Sequence, residues 1–385
     1  MNKYLNSDIF KITLLFLIWR VGLILIMIFA IILVPLGYKD KFLGGGPINY
    51  HLSPELFSWA NFDGEHYLAI AMFGYKQLEQ AFFPIYPALI SFFAQPFLSD
   101  PPSSLVSSSV VGLLISNTSF LAALLVLYRL VLIDFSKKIA LLTIIILLVF
   151  PTSFYFGALY NESLFLLLSL LSFYNARKKR WFLASLFGLI ASATRVFGFL
   201  LLPSLLFEAI LQKEKFKNWF WILTIPLGLI SYMFFQYINF RDPLAFYNLQ
   251  TLVGEHRQPG ITLLPQVYFR YIKMLLTVDI HNPIYQTIVL EFITGLLFFI
   301  LPIIGFIKKI RLSYLFYALV SFILPTVQGS LSSVPRYVIV LFPSFLILAL
   351  LISRLKTKIQ VSLFLIFIFF LIIEASLFLR GYWIA

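Results

Sequence analysis

The chain has 385 residues, of which 61% are hydrophobic and only 12% charged, with a net charge of +13 and no cysteine. That balance excludes a soluble domain of this length, and the missing cysteine excludes disulfides, thiolate catalysis and cysteine-ligated metals. The basic residues argue against a nucleic-acid partner, because they form no single face: they fall in short clusters between apolar runs, at Lys137-Lys138, Arg177–Arg180, Lys213–Lys217, Lys308–Arg311 and Arg354–Lys358, the positive-inside pattern of a multi-pass membrane protein.

Several runs exceed the roughly 18 apolar residues that cross a hydrocarbon core, so the fold class is all-α, a polytopic transmembrane helical protein in a lipid bilayer. A first span is expected over 12–34 with its start inside, read as retained rather than cleaved. An outer loop follows over 37–80. Residues 82–98 carry Pro84, Pro87 and Pro96, so a re-entrant or interfacial helix is expected there rather than a crossing. Residues 105–133 return inward, 139–157 go out, and Asn161-Glu162 form an outer hairpin tip. Residues 163–176 come back to the Arg177–Arg180 cluster. Residues 181–212 begin and end at basic clusters, so they go out and back, with a break near Thr194-Arg195. Residues 219–239 go out, 240–285 form a second outer loop, and spans near 286–307, 313–328, 335–352 and 360–379 complete about eleven crossings. No repeat and no soluble domain interrupts the chain, which reads as one membrane domain. The run Gly44-Gly45-Gly46-Pro47 is a loop breaker and not a phosphate loop, since no Lys-Ser/Thr pair follows.

The densest polar stretch is Asn61-Phe62-Asp63-Gly64-Glu65-His66-Tyr67, followed by the aromatic and proline-rich anchor Ala81-Phe82-Phe83-Pro84-Ile85-Tyr86-Pro87. Ionisable groups in or beside membrane spans are functional candidates by default, and each has a plainer reading. Arg20, inside the first span, is either functional or a structural partner of a buried carboxylate or of carbonyls. Arg195, at the hairpin break, either grips a phosphate with its two-pronged guanidinium or ties down a helix end. Glu162 is a site acid or a solvated loop acid. Arg336, after Ser332-Ser333-Val334-Pro335, is a site cation or a snorkelling arginine. His66 is a site imidazole or an interfacial one. Asp63, Glu65, His66, Glu162, Arg195, His256, Arg257 and Arg336 all fall on the outer side in this topology. One-sided convergence favours an outward-facing enzyme site over a transporter, whose polar groups belong near the midplane.

Phe62-Asp63-Gly64-Glu65-His66-Tyr67, Gly74-Tyr75 and Ala81-Phe82-Phe83-Pro84-Ile85-Tyr86-Pro87 together resemble the first outer loop of the PIG-V-type mannosyltransferases, which belong to the GT-C superfamily of polytopic glycosyltransferases. Asn161-Glu162-Ser163-Leu164-Phe165 looks like that family's following acidic motif. Thr194-Arg195-Val196-Phe197-Gly198 resembles its Thr-Arg-x-x-Gly turn, and Pro335-Arg336-Tyr337 its late Pro-Arg-Tyr motif. The matches run in order from about residue 60 to 345. Phe62 stands where Trp is common, and no Trp precedes Glu255-His256-Arg257, where Trp-x-Arg is often seen.

The resemblance implies inverting transfer of a sugar, mannose in the family, from a polyprenyl-phosphate donor to a glycolipid or glycan acceptor. The site would face the extracytoplasmic side of the plasma membrane, as expected of a prokaryotic member. Asp63 is then the general base for an acceptor hydroxyl. Arg195 and Arg336 stabilise the leaving phosphate, Glu65 and His66 orient the base or hold the acceptor, and Tyr67, Glu162 and Arg257 contact substrate. No cofactor is expected. Asp63, Glu65 and His66 offer metal-ligand types, but no His-x-x-x-His spacing supports a metal. Two other classes remain open at this stage: a flippase or transporter of lipid-linked saccharides, which would not need Asp63, and a non-catalytic assembly factor.

Overall fold

The computed structural model describes residues 2–37, 47–76, 78–249, 252, 261–282 and 284–384, and every regular element among them is helical. The principal helices are α1 (Asn2–Leu33), α2 (Asp63–Phe73), α3 (Ile85–Ala94), α4 (Pro101–Val131), α5 (Lys137–Val149), α6 (Glu162–Arg177), α7 (Trp181–Ser192), α8 (Leu201–Leu211), α9 (Phe216–Ile222), α10 (Leu227–Phe240), α11 (Leu264–Thr277), α12 (Ile284–Ile307), α13 (Leu312–Thr326), α14 (Phe342–Ile352) and α15 (Thr357–Leu379). Local signals set several of their starts. The Asp100 carboxylate accepts the Ser103 N–H at 3.3 Å, and Pro101-Pro102 occupy the first turn of α4, where a missing N–H costs nothing. Helix α6 opens on Glu162, an acid at the positive end of the helix dipole.

Among the described residues five helices are long and apolar enough to cross a membrane: Ser7–Leu33, Pro101–Val131, Phe216–Phe240, Ile284–Ile307 and Thr357–Leu379. A sixth would be the pair Val334–Val340 and Phe342–Ile352, bent by 84°. The other segments expected to cross are built from shorter pieces. The 181–212 segment is α7 and α8 with a break between them, where the sequence placed it. The expected outer loop 37–80 is largely helical where it is described, through Pro47–His51, Pro54–Phe57 and α2. Asp63 therefore opens a helix and does not sit in a loop. Helix α11 likewise occupies part of the second outer loop.

Helix α3 runs antiparallel to the first half of α4. The Tyr86 hydroxyl donates to the Gly112 carbonyl at 3.0 Å and pairs with Ser116, while the Ser107 hydroxyl donates to the Phe97 carbonyl. With ten residues in α3, this hairpin turns at Ser99-Asp100, far from the basic end of α4. That basic end is tied by charge. The Arg177 guanidinium donates to Asp134 at 2.7 Å, and Arg311 grips the buried Glu208 through two 2.6 Å contacts. Lys137 at the start of α5 pairs with Asp8 of α1. Glu162 and Arg177, at the two ends of α6, are separated by roughly 22 Å at 1.5 Å per residue. The basic loops and the acidic motifs thus lie at opposite ends of this helix.

Candidate active site

Asp63 is presented by a strained turn. Phe62 stands at φ 59°, ψ −117°, a conformation costly for a residue with a side chain. The turn is locked from behind. The Asn61 amide donates to the Phe378 carbonyl at 2.7 Å, the Tyr160 hydroxyl donates to the Asn61 carbonyl at 2.7 Å, and the Leu159 N–H donates to the Trp59 carbonyl at 2.9 Å. Gly64 then lets α2 lie against this strand of chain, since a Cβ there would sit 3.3 Å from the Leu159 carbonyl oxygen. The backbone thus over-determines where the Asp63 carboxylate goes.

Arg195 lies between α7 and the short 3₁₀ turn Val196–Leu200. Gly198 makes that turn possible: a Cβ there would fall 2.3 Å from the Ala191 carbonyl and the Ser192 nitrogen. The glycine of the Thr-Arg-x-x-Gly motif is thus a close-approach residue. Asn161 clamps the turn from α6, its amide donating to the Thr194 carbonyl at 2.9 Å and its oxygen accepting from Arg195 at 3.1 Å. Glu162 completes the grip through a 2.6 Å ion pair with Arg195. Glu162 is 1% exposed, so it is no solvated hairpin acid.

Arg336 arrives from the far end of the chain. Ser333 before it is left-handed, at φ 63°, with its N–H donating to the buried Glu291 carboxylate at 3.3 Å. Glu291 also accepts from the Tyr271 hydroxyl at 2.6 Å, and that oxygen accepts the Leu331 N–H at 3.1 Å. Behind it, the Thr152 hydroxyl donates to the Pro335 carbonyl at 2.6 Å. So fixed, Arg336 donates to Asp63 Oδ2 at 2.7 Å, and its Nε lies 3.6 Å from Glu162. Aromatic faces of Tyr160 and Tyr337 cover the guanidinium.

Two carboxylates and two guanidiniums therefore form one charge-balanced quartet of Asp63, Glu162, Arg195 and Arg336. Glu162 Oε2 and Arg336 Nε within it are buried without a hydrogen-bond partner among the described residues. Asp63, Arg195 and Arg336 open into a cavity of about 600 Å³. It is also lined by the polar Asn161, Gln328, Ser332 and Ser333 and by the apolar and aromatic Phe82, Phe83, Val196, Phe246 and Trp383.

The remaining sequence candidates fall into place around this cavity. Tyr67 lines it, and burial pushes its phenol well above the usual tyrosine value, so it is neutral. Glu162 stands behind the cavity wall and holds both arginines. Glu65 and His66 are half-buried on α2 and do not line the cavity. His66 stacks on Phe82 at 4.5 Å, and burial lowers its imidazole below the ordinary value despite the nearby Asp63 and Glu79 carboxylates. Arg257 and His256 lie outside the described residues. Arg20 donates to the Gly157 carbonyl at 3.0 Å and covers the Trp59 ring, the structural alternative foreseen for it. Among the described residues no three His, Cys, Asp or Glu side chains gather to hold a metal ion. Sequence reasoning missed Trp383, Gln328, and the Tyr271–Glu291 brace. The brace had one readable signal, an acid within an apolar span.

The family model for mannosyltransferase (PIG-V) matches residues 11–272 of this chain. The chain belongs to the PIG-V mannosyltransferase family. Its long apolar helices are those of an integral membrane protein. The match takes in Asp63, Glu162 and Arg195 and ends before Arg336. No curated protein matches the chain. Among solved structures it is similar to the oligosaccharyltransferase of Archaeoglobus fulgidus. The apo form aligns with a TM-score of 0.48 and 14% identity over 96% of this chain and 56% of that one. Its complex with zinc and sulfate aligns at 0.46 and 15%, over 94% and 53%. This PIG-V family member thus spans about half the length of that enzyme.

Proposed function

We propose that this glycosyltransferase moves mannose from a polyprenyl-phosphate donor to a hydroxyl of a glycolipid or glycan acceptor, with inversion, on the extracytoplasmic face of the plasma membrane. The observation that carries this reading is the pairing of Asp63 with Arg336 in a cavity that also exposes Arg195 and continues into an aromatic and aliphatic wall. A carboxylate suits an incoming hydroxyl, two guanidiniums suit a phosphate, and the apolar wall suits an isoprenoid.

The roles follow from charge. The acceptor oxygen attacks the anomeric carbon on the side opposite the phosphate, and its proton passes to Asp63. The bond from the anomeric carbon to the phosphate oxygen breaks, and the electron pair leaves with the polyprenyl phosphate. The departing oxygen gains negative charge, which Arg195 and Arg336 stabilise in a site poor in water. Arg336 holds only Oδ2 of Asp63; Oδ1 has no hydrogen-bond partner among the described residues, leaving it for the acceptor hydroxyl. Glu162 keeps both guanidiniums in place, and no step of this scheme is assigned to Glu65 or His66.

The test is turnover by purified protein with a panel of polyprenyl-phosphate sugars, with the product's anomeric configuration read by NMR. Mannose from a β-linked donor is expected in α linkage. Retained configuration would overturn direct displacement, and turnover with another sugar only would overturn the mannose assignment.

A further inference from the structure

We infer that Trp383 forms the acceptor subsite, stacking one face of an acceptor sugar ring beside Asp63. The inference rests on the glycosyl-transfer reading above and adds where the acceptor sits. Trp19, Trp59 and Trp181 are packed away in the core, whereas Trp383 is 46% exposed and lines the same cavity as Asp63. An indole left open in a reaction cavity offers a flat apolar surface with a polar rim. A pyranose is built the same way, with a face of C–H groups and a periphery of hydroxyls.

Position decides which substrate uses it. The Phe62 ring meets the Trp383 ring edge-on at 5.3 Å, and Phe62 is the residue that sets the Asp63 backbone. A general base must come within roughly 2.6–3.2 Å of the hydroxyl it deprotonates. The acceptor therefore belongs beside Asp63, and the Phe62–Trp383 contact brings the indole to that part of the cavity lining. The wall formed by Phe83 and Phe246 packs against Tyr232 and Val196 as a wholly hydrophobic cluster, the surface expected for a lipid tail.

The segment that carries the indole is also anchored. The Arg380 guanidinium donates to the Val34 carbonyl at 2.8 Å and to the Tyr50 hydroxyl at 3.2 Å, and the Gly37 N–H donates to the Arg380 carbonyl at 2.9 Å. These bonds staple the segment carrying Trp383 to the end of α1. An anchored backbone limits the freedom that is lost when a ligand stacks on the ring.

The experiment uses the full chain in lipid nanodiscs as wild type, Trp383→Ala and Trp383→Phe, with melting curves confirming that each folds. Saturation-transfer NMR reads binding of methyl α-mannoside and methyl α-glucosaminide. Kinetics use decaprenyl-phosphate mannose as donor and the bound glycoside as acceptor. Trp383→Ala is expected to abolish the NMR signal and to raise the acceptor KM about tenfold, and Trp383→Phe to recover most of it. The donor KM should move far less. An unchanged signal in Trp383→Ala, no signal in wild type, or equal rises of donor and acceptor KM would overturn the subsite. If wild type binds glycoside through Trp383 but transfers no mannose, the subsite stands and the mannosyl-transfer reading falls.

Discussion

Asp63 and Arg336 stand 273 positions apart in the chain and meet through a 2.7 Å hydrogen bond inside the cavity. Phe62, directly before Asp63, and Ser333, three residues before Arg336, both have positive φ, and each is braced by buried hydrogen bonds or ring contacts. Strain of this kind persists only where surrounding structure over-determines it. The fold is organised to bring this pair together.

Replacing Asp63 by Asn keeps the size of the side chain and removes its basic oxygen. Loss of a general base typically lowers turnover by about a hundredfold to ten-thousandfold. The expected outcome for Asp63→Asn is a loss in that range in sugar transfer by matched, correctly inserted protein. Glu65→Gln should be much milder, because Glu65 stands off the cavity. The reverse ranking would move the base two residues along.

Arg195→Lys and Arg336→Lys keep the charge and lose the planar fork. Both should raise the donor KM more than the acceptor KM, since the guanidiniums are assigned to the phosphate. Donor titrations on each variant check this. Donor saturation unchanged in both would leave the two arginines with a structural role only.

Glu162 distinguishes a buried charge from a surface one. Its side chain is 2% exposed and faces both guanidiniums. Breaking a buried ion pair from one side commonly costs about 3–5 kcal/mol, against about half a kcal/mol for a solvated surface acid. Glu162→Gln should therefore lower the unfolding midpoint clearly in denaturant titrations. A midpoint like wild type would mean that Glu162 is solvated in the membrane-embedded protein.

The helical membrane class and the break at Thr194-Arg195 were legible because each rests on local signals: apolar runs, basic clusters, a glycine turn. Arg20 was ambiguous, because a guanidinium bonding a carbonyl 137 positions away has no local signature. The same is true of Glu162, whose burial depends on α6 beginning under the Arg195 turn. Asp63 was expected in a loop because polar residues dominate its neighbourhood, yet the helix there is set by packing against Leu159 and Tyr160. Trp383 escaped notice because nothing in its own sequence surroundings points to a cavity formed by segments hundreds of residues upstream.

His66 gives a pH prediction whose sign can be worked out. Burial lowers its folded-state value below the ordinary imidazole range, so between the two values the unfolded chain binds more protons than the folded one. Stability then rises with pH across that window. This contribution is fully present above about pH 6.5 and is lost as pH falls towards the folded-state value. Melting temperatures measured from neutral to mildly acidic pH should fall more steeply for wild type than for His66→Gln. Parallel curves would mean that the imidazole is not desolvated against Phe82.

The remaining prediction concerns sidedness. The motif acids lie at one end of α6 and the Arg177–Arg180 cluster at the other, and basic loops stay on the cytoplasmic side in multi-pass proteins. The catalytic pair should accordingly face the extracytoplasmic side, where a lipid-borne sugar can reach it. The chain has no cysteine, so single cysteines can be placed without first removing native ones. Lys178→Cys should be labelled only after membranes are opened to a charged maleimide. Ser99→Cys, at the turn between α3 and α4, should be labelled in intact cells, because that hairpin turns back before the basic end. Gln266→Cys on the exposed face of α11 should behave like Ser99→Cys. Labelling of positions 99 and 178 from the same side would overturn both the re-entrant reading of residues 82–98 and the orientation assigned to the site.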